Sequence, residues 1–288
     1  MASLIRVLDS IKNKFVYSVI VYLYAELKFL NLYLLSKKYA IPIFKGFPSG
    51  SSFYFMGSGS SVNALSSGDL KELENKMTIG PNCWLFHDFV PNYYTLEGEK
   101  GVIPDNYLKE FKRALLNKSR LDSVVKVLVH VSAVRSLPAL RDLNNEQIKF
   151  YLYDHLKPVT LKTSNLDMVW QLMEKIVSRK RYRGISIGKG ATLERICTFI
   201  KIAGFEELGL IGVDLYDRKT FYQNNAALVE QLCIGDLSKS HKTNDPKYKT
   251  FTVTETLAAI FQNKSTRCKV FIVNKSSQLN KLFKWRNV

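Results

Sequence analysis

The chain reads as an α/β fold with a Rossmann-like, mostly parallel sheet flanked by helices, and three features predict it. Short apolar runs alternate with amphipathic helical stretches along most of its 288 residues. Residues 208–213 are apolar and free of charge, as a central strand buried on both faces must be. Residues 52–56 form an aromatic strand that runs directly into Gly57-Ser58-Gly59-Ser60-Ser61, the kind of turn that follows the first strand of a nucleotide-binding sheet.

The region from 186 to 222 is the centre of this reading. Ile196, Phe199, Ile200 and Ala203 share one face of a helix over 191–203, and Gly204 stops it. Asp214 ends the strand at 208–213, and Tyr216 and Tyr222 follow in a polar segment. Ligands of open α/β sheets bind beyond the carboxyl ends of the strands, where these three residues fall.

The other elements follow in order. Residues 15–35 form a long apolar helix flanked by Arg6, Lys12, Lys14, Lys37, Lys38 and Lys45. Its longest uncharged run, 15–25, is about half of the ~20 residues that a bilayer span needs, and Glu26, Lys28 and Asn31 interrupt the rest. The helix therefore lies in a membrane interface, packs in an oligomer contact, or covers the domain's own core. Pro42, Gly46, Pro48 and Gly50 mark a linker. Residues 78–89 read as a second strand with Asn82, His87 and Asp88 in or after it, and 91–95 as an aromatic, amide-bearing loop. Residues 124–131 and 149–153 are strands by β-branched and aromatic content, with His130 a core histidine. Leu166, Val169, Trp170, Met173, Ile176 and Val177 line one helix face, and 178–183 is a basic run, either solvated or placed to attract an anionic substrate. A helix over 254–262, a last strand over 268–273 and a tail mixing Leu282, Phe283 and Trp285 with Lys281, Lys284 and Arg286 complete the chain. The organisation is an amphipathic, membrane-associated helix and linker (1–48), a main α/β domain (49–275) with a small lid segment at about 215–248, and a basic aromatic tail (276–288).

The formal net charge of +17 calls for an anionic partner. No arginine-rich arm, zinc-finger spacing or aromatic RNA-binding signature appears, so no nucleic acid is expected. The four cysteines are far apart, and Cys197 and Cys268 lie in apolar runs, which fits buried free thiols. The Gly57–Ser61 turn is either a phosphate cradle or an ordinary tight turn. A dinucleotide fingerprint is incomplete, because its third glycine is missing.

Three stretches carry a resemblance to a known family. Gly204-Phe205-Glu206-Glu207-Leu208, followed by Gly212-Val213-Asp214-Leu215-Tyr216 with Tyr222 six residues on, resembles the G-[YF]-x-E-[IL]…G-[IV]-D-[FL]-Y block of the bacterial sialyltransferases of glycosyltransferase family 42. His241, opening His241-Lys242-Thr243-Asn244-Asp245, resembles that family's H-S-K-N-T-D. The Gly57–Ser61 turn with Asn82 resembles its cytidine-monophosphate cradle, and Tyr93-Tyr94-Thr95-Leu96 a stretch on the sugar side. The chain departs from the pattern in reading G-S-G-S-S for G-N-G-P-S and in carrying Lys189 and Thr192 where arginine and serine are usual.

The resemblance implies a single-domain GT-A-like variant of the fold that transfers a sugar from a CMP-sugar donor to a glycan or glycolipid acceptor. It implies His241 as catalytic base, Tyr216 and Tyr222 as donors to the leaving phosphate, and Gly57, Ser58, Gly59, Ser60, Asn82, Lys189, Thr192 and Asp214 as the donor site. No metal or other cofactor is expected, since no Asp-x-Asp pair is present. The expected location is cytoplasmic, peripheral on the inner face of a bacterial inner membrane, with an anionic membrane surface as partner and a homo-oligomer possible. Alternatives are the same chemistry with 3-deoxy-manno-octulosonate or another nonulosonate as donor, an NAD-type oxidoreductase, and a non-catalytic membrane-surface scaffold.

Overall fold

A computed structural model describes residues 14–98, 105–118, 124–158, 166–215, 220–224, 252–262 and 267–288. Nine parallel strands form one sheet: β1 (Ser52–Met56), β2 (Met77–Pro81), β3 (Tyr93–Leu96), β4 (Val125–His130), β5 (Ile148–Leu156), β6 (Ile185–Ile187), β7 (Glu207–Ile211), β8 (Lys269–Ile272) and β9 (Lys284–Trp285). Seven α-helices surround it among the described residues: α1 (Lys14–Tyr39), α2 (Ser67–Glu74), α3 (Asp105–Lys118), α4 (Leu137–Arg141), α5 (Leu166–Val177), α6 (Thr192–Ala203) and α7 (Val253–Phe261).

The strand order is 6-5-4-3-2-1-7-8-9. From β1 the chain builds outward through β2 to β6, then returns to the other side of β1 to lay down β7, β8 and β9. The order reverses between β1 and β7, which pair along their whole length from Ser52↔Glu207 to Met56↔Ile211. Parallel strands need crossovers, and these helices cover both faces, so β1, buried from Phe53 to Met56, and β7 are enclosed as the sequence predicts. Helix α5 buries the six apolar residues predicted for its face. Helix α6 ends at Gly204, whose φ of +81° is the left-handed conformation of a helix stop.

Several elements differ from the sequence reading. The second strand is shorter, ending at Pro81 in a 3-10 turn over Asn82–Phe86. Tyr93–Leu96 is a strand and not a loop, inserted between β2 and β4 and buried at every position. The linker and the tail both pair with the sheet. Pro42 and Phe44 exchange backbone hydrogen bonds with Leu152 of β5. The tail supplies β9, which pairs with β8. Helix α1 covers the domain's own core along one face, with Tyr17, Val21, Ala25 and Leu32 buried. The residues expected as a lid fall mostly outside the described residues.

Candidate functional site

The reversal of strand order between β1 and β7 marks their carboxyl ends as the candidate crevice, the position at which open α/β sheets bind ligands. The turn after β1 and the turn after β7 are locked together there. Gly57 N–H donates to Ile211 O at 2.6 Å, and Gly59 N–H to Gly212 O at 2.8 Å. A Cβ on Gly59 would sit 2.3 Å from Asp214 Oδ2 and 2.7 Å from Gly212 O, so only glycine allows this approach. Gly212 has φ +61°, and a Cβ there would lie 2.5 Å from Gly57 O. Trp84, fully buried at the end of β2, donates its indole N–H to Gly57 O at 2.8 Å.

Asp214 ties the two turns to a third. It is buried, which is costly for a carboxylate unless it is hydrogen-bonded. Its Oδ2 accepts from Ser61 N–H at 3.0 Å, and its Oδ1 from the Ser61 hydroxyl and from Asn274 Nδ2 at 2.7 Å. Asn274 follows β8, so one carboxylate joins the ends of three strands. The protein thus fills three of the roughly four acceptor positions that an ionised carboxylate offers.

The backbone then doubles back over β1. Leu215 has φ +63°, a sparsely populated conformation for a branched residue and one that concentrates at functional sites. Thr220 forms an antiparallel bridge with Gly59. Phe221 N–H donates to Ser58 O at 3.1 Å, and Asn63 Nδ2 donates to Phe221 O. This puts Tyr222, half-buried, beside the Gly57–Ser61 turn. The Phe221 ring packs on Trp84 at 5.0 Å and on His87 at 5.3 Å.

Gly57, Ser58, Gly59, Ser60, Asp214 and Tyr222, singled out in the sequence, therefore meet at one place. The glycine amides do not form a cradle for an anion, because β7's turn consumes them. Ser58 keeps amide and hydroxyl donors, and Ser60 its hydroxyl, that take no partner among the described residues. Asn82 lies at the end of β2, next to β1, and its side chain lies outside what is described. Tyr216 and His241 lie outside the described residues.

Lys189 and Thr192 stand at the start of α6. Glu194 accepts from the N–H groups of Lys189, Gly190 and Ala191 at 2.7, 3.0 and 3.2 Å. That carboxylate neutralises the helix N-terminus, leaving side chains as the loop's donors. The Arg195 guanidinium pairs with Glu97 just after β3, at 2.5 Å, and Tyr153 Oη donates to the other Glu97 oxygen at 2.6 Å. Helix α6 therefore begins over the end of β3, two strands from β1.

His87 sits near the crevice, with its ring 4.7 Å from Trp84. Burial lowers its pKa, so the ring is neutral near pH 7. Its Nδ1 accepts from Phe89 N–H at 3.0 Å, which assigns the proton to Nε2. At its second nitrogen this histidine can donate but not take up a proton.

His130, Asp154 and His155 form a buried cluster at the carboxyl ends of β4 and β5, and their donor atoms are close enough to hold a cation. Lys28 of α1 already supplies one, with Nζ 2.9 Å from Asp154 Oδ2. His130 Nε2 and His155 Nδ1 share a hydrogen bond at 2.8 Å, and His130 Nδ1 meets the Ser132 hydroxyl at 2.7 Å. His130 is thus a satisfied core residue, as the sequence indicates. Cys197 and Cys268 are buried free thiols.

Sequence reasoning missed Asn274, Trp84 and the Glu97–Arg195 pair, and it did not give Ser61 its role as the partner of Asp214. Asn274 carries a readable signal, since it directly follows the last buried strand just as Asp214 follows β7.

No family model matches the chain, and no curated protein does. The solved structures similar to it in fold include the two that follow. One is the sialyltransferase CST-II in complex with a trisaccharide acceptor and CMP, with 10% identity, coverage of 82% of this chain and 86% of that one, and a TM-score of 0.44. The other is the sialyltransferase CstII from Campylobacter jejuni in complex with a substrate analogue, cytidine-5'-monophosphate, with 11% identity, coverage of 83% and 86%, and a TM-score of 0.42.

Proposed function

We propose that the chain is an inverting glycosyltransferase that moves sialic acid, or a related keto-sugar acid, from its CMP donor to a cell-surface glycan such as lipooligosaccharide or capsule. The observation that carries this reading is the crevice between β1 and β7, where the segment leading to Tyr222 bridges back onto the Gly57–Ser61 turn. That contact puts a residue of the family-like G-V-D-L-Y…Y block beside the turn that resembles a nucleotide cradle. Ser58 and Ser60 then offer donors to the nucleotide phosphate, and Asn82 an amide to the base or ribose. Asp214 holds the two turns in register and keeps one acceptor position for a ribose hydroxyl. Lys189 and Thr192 face the acidic sugar.

In the reaction, an acceptor hydroxyl oxygen bonds to the anomeric carbon while the bond from that carbon to the CMP phosphate oxygen breaks. His241 takes the hydroxyl proton, since an imidazole titrating near neutrality suits a general base. CMP leaves with the bonding electron pair, and the phenols of Tyr216 and Tyr222 donate to the phosphate as its charge grows. Preorganised donors of this kind do the work that a metal does elsewhere, so we read the enzyme as metal-independent. We place it in the cytoplasm, on the inner face of the inner membrane. A 3-deoxy-manno-octulosonate or other nonulosonate donor would use the same groups.

The test is transfer from a panel of CMP- and UDP-sugars in the presence of EDTA. Transfer from a CMP-keto-sugar is expected to continue at an unchanged rate. Turnover of UDP-sugars alone would overturn the donor assignment. A loss with EDTA that magnesium or manganese restores would overturn the metal-free mechanism.

A further inference from the structure

Helix α1 has two apolar faces, and the domain uses one. Tyr17, Val21, Ala25 and Leu32 point inward, whereas Val16, Val19, Leu23, Leu27, Leu30 and Leu34 form a stripe on the outer face. Leu27 is 67% exposed and Leu34 57%. The stripe runs for about 27 Å at 1.5 Å per residue. The charges that interrupt the helix in sequence do not interrupt the stripe. Glu26 accepts from Tyr182 Oη at 2.5 Å and pairs with Arg181 at 2.8 Å, and Lys28 pairs with Asp154. The outer face gains charge at its end, with Lys37 and Lys38 in the last turn.

The loop fastened to α1 through Arg181 and Tyr182 walls a cavity of about 210 Å³. Lys45, Arg179, Lys180 and Arg183 line it over an apolar floor that includes Phe47 and Ile202, and no acidic residue takes part. All four cations are exposed, and none has a carboxylate partner among the described residues. The nearby Glu174 is paired with Lys201 at 2.7 Å. The cavity opens where β6 begins and where α5 and α6 end, which is the amino edge of the parallel sheet. The basic run therefore lies at the opposite edge from the crevice and does not attract the substrate there.

We propose that the outer stripe of α1 and this cationic cavity form one docking face for an anionic phospholipid bilayer, with the stripe in the interfacial layer and the cavity around a phosphate-bearing headgroup. An apolar stripe with cations at its end and beside it is the pattern of an interfacial helix. Charge selects this occupant over a second copy of the chain. Pairing two such faces would bring together eight cavity cations on molecules that each carry +17, whereas an anionic leaflet attracts them. Bound this way, the chain leaves the crevice at the other edge of the sheet open to donor and acceptor.

The full-length protein should sediment with mixed phosphatidylcholine–phosphatidylglycerol vesicles, less so as salt rises, and not with pure phosphatidylcholine. Arg179→Ser/Arg183→Ser should weaken partitioning about twenty-fivefold, since each surface cation contributes roughly fivefold. Leu23→Ser/Leu27→Ser should weaken it at least as much. Both should keep the wild-type melting temperature, because the altered side chains are exposed. Equal binding to neutral and anionic vesicles, no binding, or wild-type partitioning of either double variant would overturn the proposal. So would a stable wild-type dimer in sedimentation velocity that Leu23→Ser/Leu27→Ser converts to monomer.

Discussion

Alanine at His241 should lower turnover by a factor of about 10²–10⁴, the usual worth of a positioned general base, while CMP binding stays nearly intact. The proton that His241 removes belongs to the acceptor, so its loss acts on transfer and not on the nucleotide. The pH–rate profile of the wild type should fall on the acid side, where His241 becomes protonated, in a limb that the variant lacks. The tyrosines should behave differently. Tyr216→Phe and Tyr222→Phe each remove one phenolic donor, and losing a comparable oxyanion donor costs about 3 kcal/mol, or roughly a hundredfold in turnover. Donor affinity should fall less than turnover, because the charge they meet grows mainly in the transition state. His87 cannot replace His241 as base, since its Nδ1 is already an acceptor for Phe89 N–H. Full activity of His241→Ala would therefore remove the base from the mechanism without handing its role to His87.

The second large effect concerns how α1 is held. Lys28→Met should destabilise the fold by about 3–5 kcal/mol, because it leaves the fully buried Asp154 carboxylate without its cation. The urea midpoint should fall with an unchanged slope. Adding Asp154→Asn should recover part of the loss. Acid should attack the same place. Burial lowers His155 to about 3 from an ordinary 6.5, so below pH 6.5 the unfolded chain takes up a proton that the folded one refuses. Stability is then lost as pH falls from 6.5 toward 3, at up to about 1.4 kcal/mol per pH unit. Burial alone would raise Asp154, but the two imidazoles and the Lys28 charge more than reverse it and hold the acid well below its ordinary 3.8. That contribution is present above pH 3.8 and is lost below it. His155→Gln should flatten the limb between pH 6.5 and 4, and an unchanged limb would assign the acid sensitivity elsewhere.

The parts of the fold that were legible in the sequence are those whose pattern is local. Helix α6 announces itself by an apolar face and a terminal glycine, and β7 by a run without charge. Strand β3 was not legible, because two phenols and a hydroxyl in Tyr93-Tyr94-Thr95-Leu96 look solvated until β2 and β4 close over them. Strands β6 and β9 are too short to show a period. The same division holds at the candidate site. The Gly57–Ser61 turn and Asp214 could be picked out singly, but Ser61 and Asn274 are identified only as Asp214's partners. Those pairings join residues 153 and 60 positions apart and follow from strand order. The docking of α1 through Lys28 and Asp154, 126 positions apart, was hidden for the same reason. There a charge that seemed to interrupt an apolar helix proves to fasten it.

The central claim is that the crevice between β1 and β7 binds a cytidine nucleotide. Calorimetric titration of the wild type and of Gly59→Val with CMP, UMP and NAD tests it most directly. The expected result is one CMP site on the wild type, with UMP and NAD at least tenfold weaker, a gap of about 1.4 kcal/mol. Gly59→Val should bind none of them, since its side chain would displace Asp214 and part the two turns. Preferential binding of NAD, or CMP binding that Gly59→Val leaves unchanged, would contradict the account.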